Sequence, residues 1–166
     1  MRSARRVLGG LSLAVGLGAA SAQALAEPEV SVRYVEGAET FKANCAVCHR
    51  ANGAGTPGLA PPVRAYAPRF LGTAEGRVQL AITVLFGMYG DIVVDQRHYN
   101  FKMPEFSRFD DASLAAVLNY VAFDLGGAPE ATPALTAADV AAQRPHPIDG
   151  DAVRQHRAVA IGSLAP

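Results

Sequence analysis

The stretch Cys45-Ala46-Val47-Cys48-His49 decides how this sequence is read, because two cysteines three positions apart are followed at once by a histidine. This C-x-x-C-H spacing is the one used to attach a c-type haem covalently. Each thiol can form a thioether to a vinyl group on one edge of the porphyrin, and the adjacent histidine then reaches the iron as its proximal ligand. The motif therefore predicts one covalently attached haem c, held by Cys45 and Cys48, with His49 on the iron.

The motif has three other interpretations: half of a zinc site, a thioredoxin-like redox pair, and chance. A structural zinc ribbon needs four ligands, usually with a second C-x-x-C, and this chain contains 2 cysteines in all. A redox pair of this spacing is expected between a strand and a helix of a βαβ unit. Here the motif lies near the end of a short helical pattern with no strand before it. The context favours haem attachment.

Residues 1–26 predict an export signal. The stretch Val7–Ala26 carries no charge, and Ala24-Leu25-Ala26 is typical of a signal-peptidase site, with Ala20-Ser21-Ala22 as a second candidate. An uncharged stretch of this length also suffices for an uncleaved membrane anchor. Because c-type haem is attached outside the cytoplasm, we expect an exported, periplasmic protein, with cleavage favoured over the anchor. The positive residues before the stretch are Arg2, Arg5 and Arg6.

Size and charge limit the classes of partner. Removal of residues 1–26 leaves 140 residues, enough for one domain, with 12 basic against 15 acidic residues and a net charge of −3. The only lysines are Lys42 and Lys102, so no broad lysine ring surrounds the motif. A nucleic-acid or anionic-membrane partner is therefore disfavoured. A buried haem would supply apolar volume that so small a domain lacks.

A helix is predicted directly before the motif. Gly37 and Phe41 are four positions apart and so share a helical face, and the helical signal begins after Gly37 and runs into Cys45. Tyr120, on a later predicted helix, is expected to pack against Phe41. The segment Asn52–Pro62 is rich in Gly and Pro and predicts a loop.

Two longer helices and a small hairpin are predicted further along the chain. Thr73 is a plausible N-cap for a helix that stops near Gly87. Asp110 is the N-cap candidate for a helix over 111–125, whose apolar residues repeat at helical spacing. Weak alternation over 91–100 predicts a small β-hairpin between these helices.

Met103 is the leading candidate for the second axial ligand of the iron. It lies in Phe101-Lys102-Met103-Pro104, a loop just before the last helix, and the proline favours an extended conformation at Met103. A soft thioether favours ferrous iron, so a His/Met pair raises the reduction potential relative to two histidines. A methionine taken alone is more often core filler than a ligand.

Other residues compete with Met103 or support His49. Met88 is interpreted as packing, and His98 is a further candidate to replace Met103 on the iron. His146 and His156 are interpreted as solvated surface residues. A ligating histidine normally donates its other N–H to a backbone carbonyl, and Pro61 can supply that carbonyl from the loop after the motif.

Features spread over residues 36–127 together resemble a class I cytochrome c. They are Gly37, Phe41, Cys45–His49, Ala60-Pro61-Pro62-Val63, Met103-Pro104 and Leu118-Asn119-Tyr120-Val121. The resemblance implies an all-α haem fold, with about three to five helices around one haem. It implies that Cys45 and Cys48 hold the haem, that His49 and Met103 ligate iron, and that the first and last helices of the domain cross.

A narrower resemblance concerns the partner. Tyr99–Pro104 followed by Ala115–Val121 is similar to small cytochromes that accompany periplasmic dehydrogenases. Many of those have a glycine two positions before the ligand methionine, where this chain has Phe101. The resemblance implies a redox protein as partner: a dehydrogenase, an oxidase or another cytochrome.

The predicted organisation is a signal peptide at 1–26, a lead-in at 27–35, a cytochrome c domain at 36–127 and a helical extension at 128–166. In the extension, Thr136–Asp139 can open a short helix by capping, and Asp149 or Asp151 can start another. The extension is expected to wrap the core or to be partly disordered. The alternative is a docking arm, because Arg144, Arg154, Arg157 and two histidines make its end locally basic.

The sequence therefore predicts a single-haem periplasmic electron carrier, or an electron-accepting subunit, and no enzymatic bond-making. Two alternatives stay open. One is a catalytic or ligand-sensing haem with an open or displaceable distal site. The other is a haem subunit tethered to a larger oxidase or dehydrogenase by an uncleaved N-terminus.

Overall fold

A computed structural model describes residues 32–164 of the chain, and the predicted signal peptide lies outside the described residues, as does most of the lead-in. The elements in chain order are α1 (Val35–Asn44), α2 (Ala46–His49), α3 (Ala67–Leu71), α4 (Ala74–Phe86), β1 (Ile92–Val94), β2 (Arg97–Tyr99), α5 (Asp111–Asn119), α6 (Ala137–Ala141) and α7 (Gly150–Gly162). The predicted architecture is confirmed: the described residues are mostly helical, with a small hairpin and a helical extension.

The crossing of α1 and α5 organises the core. A side-chain carbon built on Gly37 would lie 2.2 Å from the carbonyl oxygen of Ala116, so only glycine allows the two backbones to approach this closely. The rings of Phe41 and Tyr120 pack 5.6 Å apart, as predicted. The helix begins at Val35, two residues before Gly37 and so earlier than predicted. An acidic residue, Glu36, in the first turn suits the positive end of the helix.

Side-chain caps define where α4 and α5, the two longer helices predicted from the sequence, begin. Thr73 accepts a hydrogen bond from the amide of Gly76 at the start of α4, and Asp110 accepts one from the amide of Ser113 at the start of α5. The predicted hairpin is also present, with Ile92 opposite Tyr99. Asp95 and the residue after it have φ values of 50° and 61°, as a tight two-residue hairpin turn requires.

The last helix of the domain differs from the prediction in its second half. Instead of a continuous α-helix to Leu125, the segment Tyr120–Leu125 forms a wider π-helical turn that ends at Gly126. Within this turn, Asp124 accepts hydrogen bonds from the backbone amides of Arg33 and Tyr34 at 2.7 and 3.1 Å. The π-helical turn therefore holds the start of α1 against the end of α5.

Helix α3 was not predicted from the sequence. It has five residues with Pro68 in its first turn, which is too short to show a helical period, and Phe70 and Leu71 on it are buried.

The extension folds against the domain. Thr136 and Asp139 form a reciprocal capping box at the start of α6, and Asp149 caps α7, as predicted. Asn119 is buried and exchanges two hydrogen bonds with the backbone of Leu135. These hydrogen bonds hold the first part of the extension against α5.

The basic residues of the extension are mostly engaged within the protein, which argues against the docking arm. Arg144 bonds the carboxylate of Asp111, and Arg154 pairs with Asp151 on its own helix. His156 also departs from the prediction of a solvated surface residue. Its Nδ1 lies 2.8 Å from Oε1 of Gln79, because α7 packs against α4 and so turns the ring inwards.

Candidate haem site

The C-x-x-C-H motif lies at the junction of the first two helices. Cys45 is the C-cap of α1, while Cys48 and His49 belong to the single turn of α2. The amides of Cys48 and His49 both donate to the carbonyl of Cys45, at 3.2 and 3.0 Å. This turn brings both sulfurs and the imidazole to the wall of one cavity of about 240 Å³.

The imidazole of His49 is oriented by a backbone carbonyl. His49 is 8% exposed, and its Nδ1 lies 2.9 Å from the carbonyl oxygen of Pro61. Because that carbonyl can only accept, Nδ1 carries the proton and Nε2 keeps its lone pair. Burial lowers the pKa of His49, and the hydrogen bond to Pro61 opposes this only in part. At neutral pH the ring is therefore uncharged, and its Nε2 can donate a lone pair to a metal ion.

The loop after the motif is shaped to hold Pro61 in place. The hydroxyl of Thr56 donates to the carbonyl of Cys48, and the amide of Gly55 donates to the carbonyl of His49. Gly55 has a φ of 74°, and a side-chain carbon there would lie 2.6 Å from backbone atoms of Ala60 and Pro61. Glycine is therefore required for the loop to fold back against α2.

Cys45 does not have the pKa of a redox cysteine, and the surroundings of the two thiols do not fit a zinc site. Burial, and secondarily the neighbouring Cys48, raises the pKa of Cys45 to about 11. A reactive redox cysteine has a lowered pKa instead. Both cysteines are free thiols, and residues 32–164 contain no cluster of three or more His, Cys, Asp or Glu side chains that could hold a metal ion. The same two thiols line an apolar cavity, where each could form a thioether to a vinyl group of a haem.

A second wall of the cavity carries two methionines. Met88 follows α4, Met103 follows the hairpin, and the two form an isolated antiparallel bridge with N···O distances of 3.1 and 2.8 Å. Both line the same cavity as His49. His98 does not line it, because this residue is exposed on β2 and its ring pairs with Asp91.

The cavity lining fits a large flat macrocycle with an apolar body. Its walls are mainly aliphatic and aromatic, and no Asp or Glu of the described residues lines it. The polar lining residues that were not predicted include Gln79, Thr83 and Arg157. For Gln79 the sequence offered a signal, because this glutamine interrupts the apolar repeat of α4. A polar residue on a buried helical face usually has a specific partner.

Comparison with known proteins agrees with this geometry. The family model described as Cytochrome c matches residues 34–122, more than half of the chain. Two proteins of Thermus thermophilus, both named cytochrome c-552, are similar to it. One is 36% identical over 99 residues, which are 60% of this chain and 66% of that protein. The other is 39% identical over 93 residues, 56% of this chain and 70% of that protein. The chain thus spans about two thirds of the length of these relatives.

Family, motif and cavity agree on the cofactor. The match to the cytochrome c family indicates an electron-transfer protein rather than an enzyme, and it implies redox partners in general. The C-x-x-C-H motif with its adjoining apolar cavity supports one covalently attached haem c. The chain therefore belongs to the cytochrome c family.

Proposed function

We propose that this protein is a periplasmic single-haem electron carrier whose iron is ligated by His49 and Met103. Cys45 and Cys48 would form the thioethers, and the Pro61 carbonyl would orient His49. One observation carries the proposal: His49, with a fixed tautomer, and Met103 line the same apolar cavity, although they are 54 positions apart. When bound, the haem supplies the one-electron couple of its iron.

The residues of the chain set the conditions for that couple. The Met103 sulfur favours the ferrous state and so raises the reduction potential. Donation from His49 Nδ1 to Pro61 keeps the ring from rotating and strengthens Nε2 as a donor. Buried apolar side chains such as Phe70 and Leu118 exclude water from the cavity. The bridge between Met88 and Met103 holds the ligand loop against the end of α4.

Electrons would be exchanged at an apolar rim around the mouth of the cavity. Val47 and Phe101 line the cavity and are nevertheless 82% and 66% exposed. Large exposed apolar side chains at the edge of a site are typical of a contact surface. Lys102 is the only lysine among the lining residues. Docking on this rim would therefore depend more on apolar contact than on long-range attraction.

The proposed location rests on the sequence. Residues 1–26 would direct export and be cleaved, and the haem would be attached in the periplasm to a domain over 36–127. In the part of the chain that the structure describes, no helix combines the length and the apolar character needed to cross a membrane. The intact mass of the haem protein tests cleavage, because a mature chain beginning at Glu27 would lack the first 26 residues. A mass that includes them would instead support a tethered subunit.

The optical spectrum of the purified haem protein tests the ligation. We expect a low-spin spectrum in both oxidation states, with a weak far-red sulfur-to-iron band in the oxidised protein, because a thioether on ferric iron produces that band. A high-spin oxidised spectrum, or a low-spin one without the band, would contradict the His49/Met103 pair. The pyridine complex of the denatured protein gives the number of thioether bonds in the same preparation.

Electron transfer is expected to depend only weakly on salt. With oxidase-containing membranes from the same cells as acceptor, the second-order rate should change less than about threefold between low and physiological ionic strength. Phe101→Ala should slow the reaction more than Lys102→Gln, because the first removes apolar contact and the second only a screened charge. A steep fall with salt, or a larger effect of Lys102→Gln, would contradict docking on the apolar rim.

A further inference from the structure

Helix α7 of the extension presents a charged residue on its buried face. Val153 and Ala160 on this helix are both 0% exposed, and Arg157 lies between them at helical spacing, four and three positions away. Such a stripe normally contains only apolar residues. Arg157 instead extends to the haem cavity and lines it, although it lies outside residues 34–122, which match the family model.

The guanidinium of Arg157 has no partner within the part of the chain that the structure describes. Among residues 32–164 it makes no hydrogen bond and no ion pair, whereas Arg144 and Arg154 of the same extension both pair with carboxylates. The titratable group that acts on it is Tyr66, whose hydroxyl donates to Asp95 at 2.6 Å. Burial lowers the pKa of Arg157, with Tyr66 opposing. The cavity wall thus partly desolvates Arg157, and an anion beside it would offset that cost.

A haem in this cavity would need positive charge to balance its carboxylates. A haem carries two propionate carboxylates, and the positively charged lining residues are Arg157 and the exposed Lys102. A guanidinium binds a carboxylate through two parallel N–H donors.

We propose that Arg157 binds a haem propionate, so that the extension forms part of the haem site. This inference rests on the proposed haem function and adds a positioning residue to it. The contact would hold α7 against the cavity and would keep the propionate ionised. It would also raise the reduction potential, because a cation near the iron favours the state with one more electron.

Arg157→Gln tests the proposal through the reduction potential. We expect the equilibrium constant for reduction to fall about threefold to tenfold, where tenfold corresponds to about 59 mV for one electron. Without the cation the propionate pKa rises, since a positive neighbour had lowered it. The potential of Arg157→Gln should therefore rise as the pH falls from about 8 to about 5, while that of the wild type stays nearly level.

Matched variants distinguish loss of the contact between Arg157 and the propionate from a general loss of structure. Arg154→Gln removes the same charge from the same helix outside the cavity, and Arg157→Lys keeps the charge without the bidentate donor. We expect the first to shift the potential by less than a third as much as Arg157→Gln, and the second to restore most of the wild-type potential. Equal shifts in Arg157→Gln and Arg154→Gln, or a lowered melting temperature with no change in potential, would overturn the proposal.

A vibrational measurement covers the case in which Arg157→Gln does not fold. The propionate-bending band in the resonance Raman spectrum responds to hydrogen bonding and should move in Arg157→Lys; an unmoved band would overturn the proposal. The far-red band reports Met103 separately in each variant. A missing band in the wild type would therefore contradict the His49/Met103 ligation without deciding the role of Arg157.

Discussion

Replacing Met103 by alanine is expected to abolish the far-red absorption band and to lower the reduction potential on the order of 0.2 V. This is a fraction of the range of about 0.8 V that axial ligation spans. The alanine removes the soft sulfur that favours ferrous iron, and leaves the distal position to water or an added ligand. Absorption spectra of both oxidation states and a potentiometric titration measure the two effects.

Met88→Leu is the matched control for this experiment. Met88 lines the same cavity and is the bridge partner of Met103, and leucine conserves its volume and apolar character. We expect the far-red band to persist and the potential to stay close to that of the wild type. An unchanged spectrum in Met103→Ala would refute the ligand assignment, and loss of the band in Met88→Leu instead would assign the sulfur to Met88.

Replacing Gly37 by alanine is expected to lower the free energy of unfolding by about 3 kcal/mol or more, near the upper end of overpacking effects. The added carbon would lie 2.2 Å from the carbonyl oxygen of Ala116 and 2.9 Å from Cβ of Tyr120. Backbone atoms cannot move aside as a flexible side chain can, so α1 must shift. This loss exceeds the gain of about 1 kcal/mol that alanine brings to a helix. Denaturant titration of the haem protein measures the change.

Gly162→Ala controls for helix propensity. Gly162 is the last residue of α7, is exposed, and has no atom within 4 Å of a built side-chain carbon. We expect this variant to differ from the wild type by less than about 0.5 kcal/mol. If Gly37→Ala were equally harmless, the close approach of α1 and α5 would not be needed for stability. Because Cys45 is the C-cap of α1, the same shift is expected to displace one of the haem thioethers.

Features governed by neighbours in sequence were predictable. Caps at Thr73, Asp110 and Thr136 follow from side chains that reach the amide three residues ahead. The hairpin follows from a short alternation around a two-residue turn. The crossing of the first and last helices of the domain and the ring contact between Phe41 and Tyr120 were also expected, but through helical spacing and the family resemblance.

Features governed by distant residues were not predictable in this way. The five-residue helix α3 is too short to repeat its pattern. The wider turn at Tyr120–Leu125 is accompanied by Asp124 binding amides about 90 positions earlier in the chain. His156 was expected in solvent because nothing in its local sequence indicates that α7 would bring it to Gln79.

The sequence by itself determined where the haem attaches, because the two thiols and the histidine lie within five consecutive residues and need only one helical turn to converge. Only the tertiary structure decided what surrounds the haem. It brings Met88 beside Met103 through a backbone bridge, and it carries Arg157 from the extension into the cavity. Such contacts join residues far apart in the chain, so they arise from the packing of whole helices, and no local periodicity or cap encodes them.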